Sequence, residues 1–341
     1  MNNARGIVLI IVLWVLMMLM VLAGEVARSA RIEGLTTDVY QQEVSTYYLA
    51  IAGIHRALYT LLRAQQQGRS MLNPGMFGQQ FGAFGGGQQG GQFGQEEQKP
   101  MDVWMRGDGQ WKQEEFGEGG YWVRVVDESG KLNLNQVDEA TLRQVFTNLN
   151  FDVKLSEILT DTIQDWRDQD SLVRAHGAES DYYLALPIPY PAKDGFFHFP
   201  EELMLVRGVT PALFYGREGP ALRDLFTVYS SGGGVNLVTA SPLVLRAVLG
   251  MDQQAIDQLV QRRAEASGAN LAGLFPGGGA GNTINFGLPQ IVTIESIGYR
   301  NDGEVTRRVA AVVQRLGINN FRFLRWQDRI DSSETPVQTE G

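Results

Sequence analysis

The first sixty residues change pattern once. Residues 7–24 read IVLIIVLWVLMMLMVLAG, about 18 positions without a charge. That is the lower limit for crossing a bilayer core. Beyond Gly24 the chain turns amphipathic. Val44, Tyr47, Tyr48, Ile51, Ile54, Leu58, Leu61 and Leu62 recur at helical spacing. No proline occurs before Pro74. The pattern predicts one helix from Ile7 to about Arg63, roughly 85 Å long at 1.5 Å per residue. Its first half suits lipid or partner helices, and its second half suits the side of a globular head.

Alternation replaces helical spacing farther on. Tyr121–Val126 predicts a strand, Asp127–Gly130 a turn, and Lys131–Leu134 a returning strand. Helical patterns then run from Glu139 to about Leu274. Strands resume at Ile291–Tyr299, pass a tight turn at Asn301-Asp302-Gly303, and continue over Glu304–Leu316 and Phe321–Trp326. The fold class predicted is α+β. A long N-terminal helix packs on an antiparallel sheet, and a large all-helical unit interrupts that sheet. The segments expected are 1–6 (leader), 7–24 (membrane or filament-core helix) and 25–67 (amphipathic helix). A loop over 68–100 follows, rich in Gly and Gln and read as a mobile surface excursion. The sheet takes 101–135 and 286–328, and the inserted helical domain takes 136–285, with Pro276–Gly281 marking the return. The tail, 329–341, reads as flexible.

Composition narrows the chemistry. The chain has 341 residues, no Cys and a net charge of −9. A disulfide scaffold, thiol catalysis and thiolate metal sites are excluded. The acidic balance opposes a protein that grips phosphate backbones. Three histidines, His55, His176 and His198, show no metal-ligand or triad spacing. No catalytic or phosphate-loop motif accompanies them, so the reading is non-enzymatic.

Arg5 precedes the apolar run and predicts a cytoplasmic N-terminus, with the bulk of the chain across the membrane. A signal peptide cut near Ala27–Ser29 and a plain signal anchor are two ways to use such a start. Gly6 directly before the run supports a third. The short basic leader ending in Gly, followed by an apolar half-helix, resembles type IV pilin-like proteins. In that family prepilin peptidase cuts after the Gly, which places the cut between Gly6 and Ile7. Most pilins carry Glu as the fifth mature residue. Here that position is Ile11, which lacks the carboxylate and fits a subunit at a filament end.

The candidate cation ligands are oxygens. Leu155, Ile158, Leu159, Ile163 and Trp166 predict one apolar helix face, with Asp161, Asp165 and Asp168 on the other. Asp170, Glu179 and Asp181 follow in a loop. Clustered carboxylates near a helix C-terminus repel one another and oppose its dipole unless a cation joins them. Oxygen-only ligands favour Ca2+ over zinc. The bland reading is a solvated acidic surface helped by Arg167 and Arg174.

Two stretches look alike, Leu132–Leu142 and Val235–Leu245. Each joins a short Asn-Leu extended piece to a capped helix start. The second continues through Leu249-Gly250-Met251-Asp252 into another helix, a pattern that resembles helix-hairpin-helix (and SAM-like) modules. A membrane-anchored DNA-binding protein is therefore the alternative reading. Against it, residues 136–285 hold 18 acids and 11 bases.

Asp165-Trp-Arg-Asp-Gln-Asp170, Gly177-Ala-Glu-Ser-Asp-Tyr-Tyr183, Glu201-Glu-Leu203, Val206-Arg-Gly-Val-Thr-Pro211 and Val235–Pro242 together resemble the type II secretion system protein K family, the large minor pseudopilins. Ser180 departs from the acid often found there. The resemblance implies a pseudopilin fold with a helical insertion, at the tip of a periplasmic pseudopilus. It implies inner-membrane, single-pass localisation, prepilin peptidase processing, and methylation of Ile7. The implied partners are minor pseudopilins I, J and H, with no nucleic acid. The implied role is assisting filament initiation and export of folded proteins. Asp165, Asp168, Asp170, Glu179 and Asp181 become the calcium candidates.

Overall fold

The computed structural model describes residues 3–72, 107–217, 219–230, 234–265, 282–283, 289–301, 305–317 and 320–328. The Gly/Gln-rich loop beyond Leu72, the segment 276–281, most of the turn at 301–303 and the tail lie outside those residues.

Helix α1 runs unbroken over Asn3–Leu72. It overruns the predicted helix at both ends, and Gly6, Ile7 and Ile11 all lie in its first turns. Between Leu9 and Leu22 the large apolar side chains are 49–79% exposed. Nothing described covers them, as befits a segment apolar enough to cross a membrane.

Strands β1 (Lys112–Phe116), β2 (Gly119–Asp127), β7 (Ile291–Arg300), β8 (Arg307–Arg315) and β9 (Phe321–Gln327) form one sheet in the order β1-β2-β7-β8-β9. Every pairing is antiparallel. Alternation decides the faces. Tyr121, Val123 and Val125 join Val292, Ile294, Val309, Ala311 and Val313 in a core against α1. The helix contributes Ala50, Ile54, Ala57, Leu58 and Leu61.

Ile54, Leu58 and Leu61 of the predicted face are buried there, but Val44 and Tyr48 are exposed, and small residues take their place. The reason is close approach. A Cβ on Gly298 of β7 would lie 1.9 Å from the Thr46 carbonyl oxygen and 2.6 Å from the Ala50 nitrogen. A Cβ on Gly53 would meet Ser296 Oγ at 2.2 Å. Backbone meets backbone here, so bulky residues are excluded from the seam.

The other sheet face carries charge. Arg124 Nη2 donates to Glu295 Oε2 at 3.0 Å, and Arg308 reaches the same oxygen. Burial opposes ionisation of Glu295, but the two guanidiniums outweigh it and hold its pKa at about 2. The Trp111 ring covers both arginines, 4.7 and 5.5 Å from their guanidinium carbons.

The chain leaves the sheet after β2 and returns at β7, enclosing a second core. In that insertion β3 (Leu132–Asn133) pairs in parallel with β4 (Phe226–Thr227). Lys131–Leu134 is therefore not a returning hairpin strand. Gly130 ends a short 3-10 turn, and the chain there leaves the sheet plane instead of folding back on β2. Strand β5 (Val235–Asn236) pairs in parallel with β6 (Asn282–Thr283). The helices are α2 (Glu139–Asn148), α3 (Val153–Arg167), α4 (Ser180–Leu184), α5 (Pro211–Tyr215), α6 (Leu222–Leu225), α7 (Pro242–Leu249) and α8 (Gln253–Glu265).

Two adjacent acids at the end of β2 fasten this insertion to the sheet. Asp127 accepts from Ser129 Oγ (2.6 Å), Thr239 Oγ1 (2.9 Å) and Asn236 Nδ2 (3.2 Å). Glu128 accepts from Thr293 Oγ1 of β7 at 2.6 Å, from Lys131 Nζ at 3.0 Å, and from Thr227.

Replacing Gly298 by Val should cost about 2–4 kcal/mol, because a backbone seam cannot yield to a branched side chain. Thermal unfolding of the detergent-extracted protein checks it. An unchanged midpoint would mean that α1 does not press on β7 as described.

Candidate metal centre and paired helix starts

Asp152 caps α3 by accepting from the Leu155 nitrogen at 3.1 Å. The helix then buries most of its circumference. Leu159, Ile163 and Trp166 enter the insertion core. Trp166 stacks at 6.4 Å on Phe197 and meets Tyr183 edge-on at 5.2 Å.

The opposite face is not a solvated acidic surface. Asp161 is 5% exposed and Asp165 fully buried. The loop after the helix folds back over them. Arg174 Nη1 donates to Asp165 Oδ1 at 2.7 Å and to Asp168 Oδ2 at 2.6 Å. The His176 backbone donates to Asp161 Oδ2 at 2.9 Å. Gly177 is required, since a Cβ there would lie 1.8 Å from Asp165 Oδ2. Arg167, in the last turn, donates to the carbonyls of Leu134 and Val137 and to Gln164 Oε1. The sequence left Arg174 as a screening charge, yet it is the main partner of Asp165.

Of the five candidates, three come together. Asp168, Asp170 and Glu179 each place one carboxylate oxygen within 4.8 Å of the others. Asp165 is not one of the three and is held by Arg174. Asp181 lies exposed in the first turn of α4 and outside the group. Ser180, where the family often has an acid, accepts from the Ala192 nitrogen at 3.0 Å. Asp168 Oδ1 and Glu179 Oε1 are buried with no hydrogen-bond partner among the described residues. Burial, then Asp165, Asp168, Asp194 and Asp170, raise the Glu179 pKa to about 7. Three neighbouring carboxylates, two of them with an unpartnered buried oxygen, offer the oxygen ligands that a hard cation takes. His55 and His198 are exposed and stand apart from the group. His176 faces Asp161 (3.5 Å) and Glu157 (3.7 Å).

The two similar stretches fold alike. Asn133 Oδ1 accepts from the Asn135 nitrogen (2.8 Å), and Asn236 Oδ1 accepts from the Val238 nitrogen (3.2 Å). Asp138 caps α2 and Ser241 caps α7 in the same way. Their helices pack together, with Asn148 Nδ2 donating to the Ala247 carbonyl at 2.8 Å. In the turn after α7, Gly250 takes φ +65°, and Asn148 fills the space beside it. Asp252 Oδ1 accepts from the Ala255 nitrogen at 2.8 Å. The place where a phosphate would approach a helix-hairpin-helix turn therefore holds an amide on one side and a carboxylate on the other.

Residues 125–218 match the family model for type II secretion system (T2SS) protein K. The matched span contains all five acidic candidates. That stretch of the chain is similar to a protein K domain. A type II secretion system protein K from Pectobacterium carotovorum subsp. carotovorum is 29% identical over 159 residues, 44% of this chain and 48% of that one. Another, from Aeromonas hydrophila, is 44% identical over 63 residues, 18% of this chain and 19% of that one. The matched length is thus about half of the first relative and a fifth of the second. Among solved structures, the GspK-GspI-GspJ complex of the enterotoxigenic Escherichia coli type 2 secretion system contains a chain of similar fold. The TM-score is 0.50 at 16% identity, over 65% of this chain and 84% of that one. That likeness is one of fold, an α+β arrangement with a long N-terminal helix.

Two outcomes test the site. Arg174→Ala strands a buried carboxylate at Asp165 and should cost about 3–5 kcal/mol. Adding Asp165→Asn should recover part of that loss, as read by denaturant midpoints. In chelator, Glu179 binds its proton more tightly folded than unfolded. Stability should therefore fall as pH rises from about 4.5 to about 7, and Glu179→Gln should flatten that slope in thermal melts across the range.

Proposed function

We propose that this chain is a minor pseudopilin of a type II secretion system, a structural subunit and not an enzyme. The observation that carries the reading is one helix with two environments. Its apolar first half stands clear of the head, while its second half is packed on a sheet interrupted by a protein K domain. On this reading the span 7–24 holds the chain in the inner membrane as a single pass, with the bulk in the periplasm. Prepilin peptidase cuts between Gly6 and Ile7, and Ile7 is methylated. The freed helix then packs against the other minor pseudopilins I, J and H. With Ile11 in place of the usual acid, and an insertion too large to lie beneath another subunit, the chain belongs at the pseudopilus tip. There it helps filament assembly begin and folded proteins leave through the outer membrane. The DNA-binding alternative is disfavoured by Asn148 and Asp252 at the α7–α8 turn.

Intact-mass measurement of the membrane-extracted protein tests this reading. Loss of Met1–Gly6 with one added methyl is expected. A full-length mass, or a cut near Ala30, would overturn it.

We also propose that Asp168, Asp170 and Glu179 hold Ca2+, with Arg174, which bridges Asp165 and Asp168, positioning Asp168. The ion would supply the positive charge that Asp168 Oδ1 and Glu179 Oε1 lack. Calcium should raise the melting temperature by several degrees over the chelated protein. Asp168→Asn with Glu179→Gln should abolish that increment; persistence of the increment in the double variant would exclude this site.

A further inference from the structure

Four large apolar side chains stand exposed on the loops around the carboxylate group. Leu172, Val173, Ile188 and Phe196 are 60–80% exposed. Leu172 and Val173 occupy the loop between Asp170 and Arg174, and the Leu172 nitrogen donates to Asp170 Oδ1 at 2.8 Å. That tip is therefore fixed to one of the three acids. Ile188 lies in the stretch that returns to α4, where the Ala192 nitrogen donates to Ser180, the neighbour of Glu179. Phe196 follows Gly195, whose nitrogen reaches the Trp166 carbonyl in the last turn of α3 at 3.5 Å.

The acids among these loops form an incomplete site. Glu179 is 5% exposed and its Oε1 has no partner. Asp168 is half-buried and Asp170 exposed, so the group opens to solvent at one end. Calcium takes about six to eight oxygens. Three carboxylates, one of them shared with Arg174, leave places for oxygens from outside the chain.

The surroundings favour a lipid phosphate as the source of those oxygens. Side chains as exposed as these protrude, and they line no groove for a helix or strand. A protein partner must match separate protrusions in shape, whereas acyl chains flow round them. Charge then limits access. Residues 136–285 hold 18 acids and 11 bases, a balance that repels anionic headgroups. A cation beside Asp170 reverses that sign where Leu172 and Val173 stand. Buried apolar area and headgroup electrostatics then act together, as interfacial binding requires.

We propose that the Asp168, Asp170 and Glu179 site, with Leu172, Val173, Ile188 and Phe196 around it, docks the insertion on an anionic phospholipid surface through a shared calcium ion. The inference rests on the calcium reading. The lipid is not the layer that holds residues 7–24. Glu43, which pairs with Arg307 of β8 at 2.7 Å, marks where the head meets α1. It lies 19 residues past Gly24, roughly 28 Å farther along the helix axis.

The test holds the full chain in nanodiscs by its apolar span and adds vesicles of phosphatidylglycerol and phosphatidylcholine with spin-labelled acyl chains. The sequence has no cysteine, so Val173→Cys carries a single environment-sensitive fluorophore. Val153→Cys, exposed at the other end of α3, is the control. With calcium, the label at residue 173 should shift to the blue and be quenched by the added vesicles, and the label at 153 should not. Chelator, vesicles of phosphatidylcholine alone, or Asp168→Asn with Glu179→Gln should each remove the quenching. Leu172→Ser with Phe196→Ser, two exposed changes that leave the core intact, should weaken vesicle binding several-fold while calcium still raises the melting temperature. If calcium stabilises the protein and no vesicle quenches the label at 173, the docking is wrong and the calcium site stands. If calcium neither stabilises the protein nor promotes quenching, both fall. Quenching that persists in chelator, or that is equal at 153, would overturn the role of the carboxylates. A blue shift given by purified sister subunits and not by vesicles would assign the tips to a protein partner and overturn the lipid.

Discussion

Two carboxylates at the end of one strand hold the molecule together. Asp127 and Glu128 are buried where β2 leaves the sheet. A buried carboxylate is costly unless donors converge on it. Here the donors come from different parts of the chain. Thr293 belongs to β7, Thr227 to the end of one parallel strand pair, and Asn236 and Thr239 to the second similar stretch. Satisfying two charges thus ties the sheet to both halves of the insertion. Arg325 of β9, which donates to Glu201 at 2.6 Å, adds a tie farther along the sheet. The insertion, although it has its own core, is therefore joined to the sheet by side-chain hydrogen bonds as well as by the chain itself.

The same logic runs through the acidic loop. Asp165 is tolerated in the interior because Arg174 reaches it and Gly177 leaves room. Asp168 and Glu179 are met less completely, and each keeps a buried oxygen without a donor. A protein interior seldom leaves such oxygens unmet. Arg174 meets one oxygen of Asp168, while Asp168, Asp170 and Glu179 bring three carboxylates close together.

The long helix solves a different problem with small residues. Where α1 crosses β7, Gly53 and Gly298 bring backbones together and exclude side chains from the seam. The bulkier Tyr40, Val44 and Tyr48 are displaced to a flank. Close packing within the head thus leaves these side chains exposed on the same helix as the apolar span.

Much of this architecture was legible in one dimension. The uncharged run 7–24, the alternation at 121–126 and 291–299, and the paired Asn-Leu stretches with their capping Asp138 and Ser241 depend on neighbours a few residues apart. Local periodicity and capping express such relations directly. The acids at 165–181 were visible as well, but their states were not. Whether Asp165 faced water or Arg174, and whether Lys131–Leu134 turned back on β2 or departed to meet Phe226–Thr227, depended on residues far apart in the chain. Likewise, spacing marked Tyr48 and Ile54 as parts of one apolar helix face, while the glycine seam decided that Ile54 would be buried and Tyr48 left exposed. Sequence by itself determined the long helix, its apolar span and most of the sheet strands, because those follow from short-range periodicity. Only the tertiary structure decided which charges are paired, which helix face is covered and which carboxylates converge, because each of these is set by what the folded chain brings alongside.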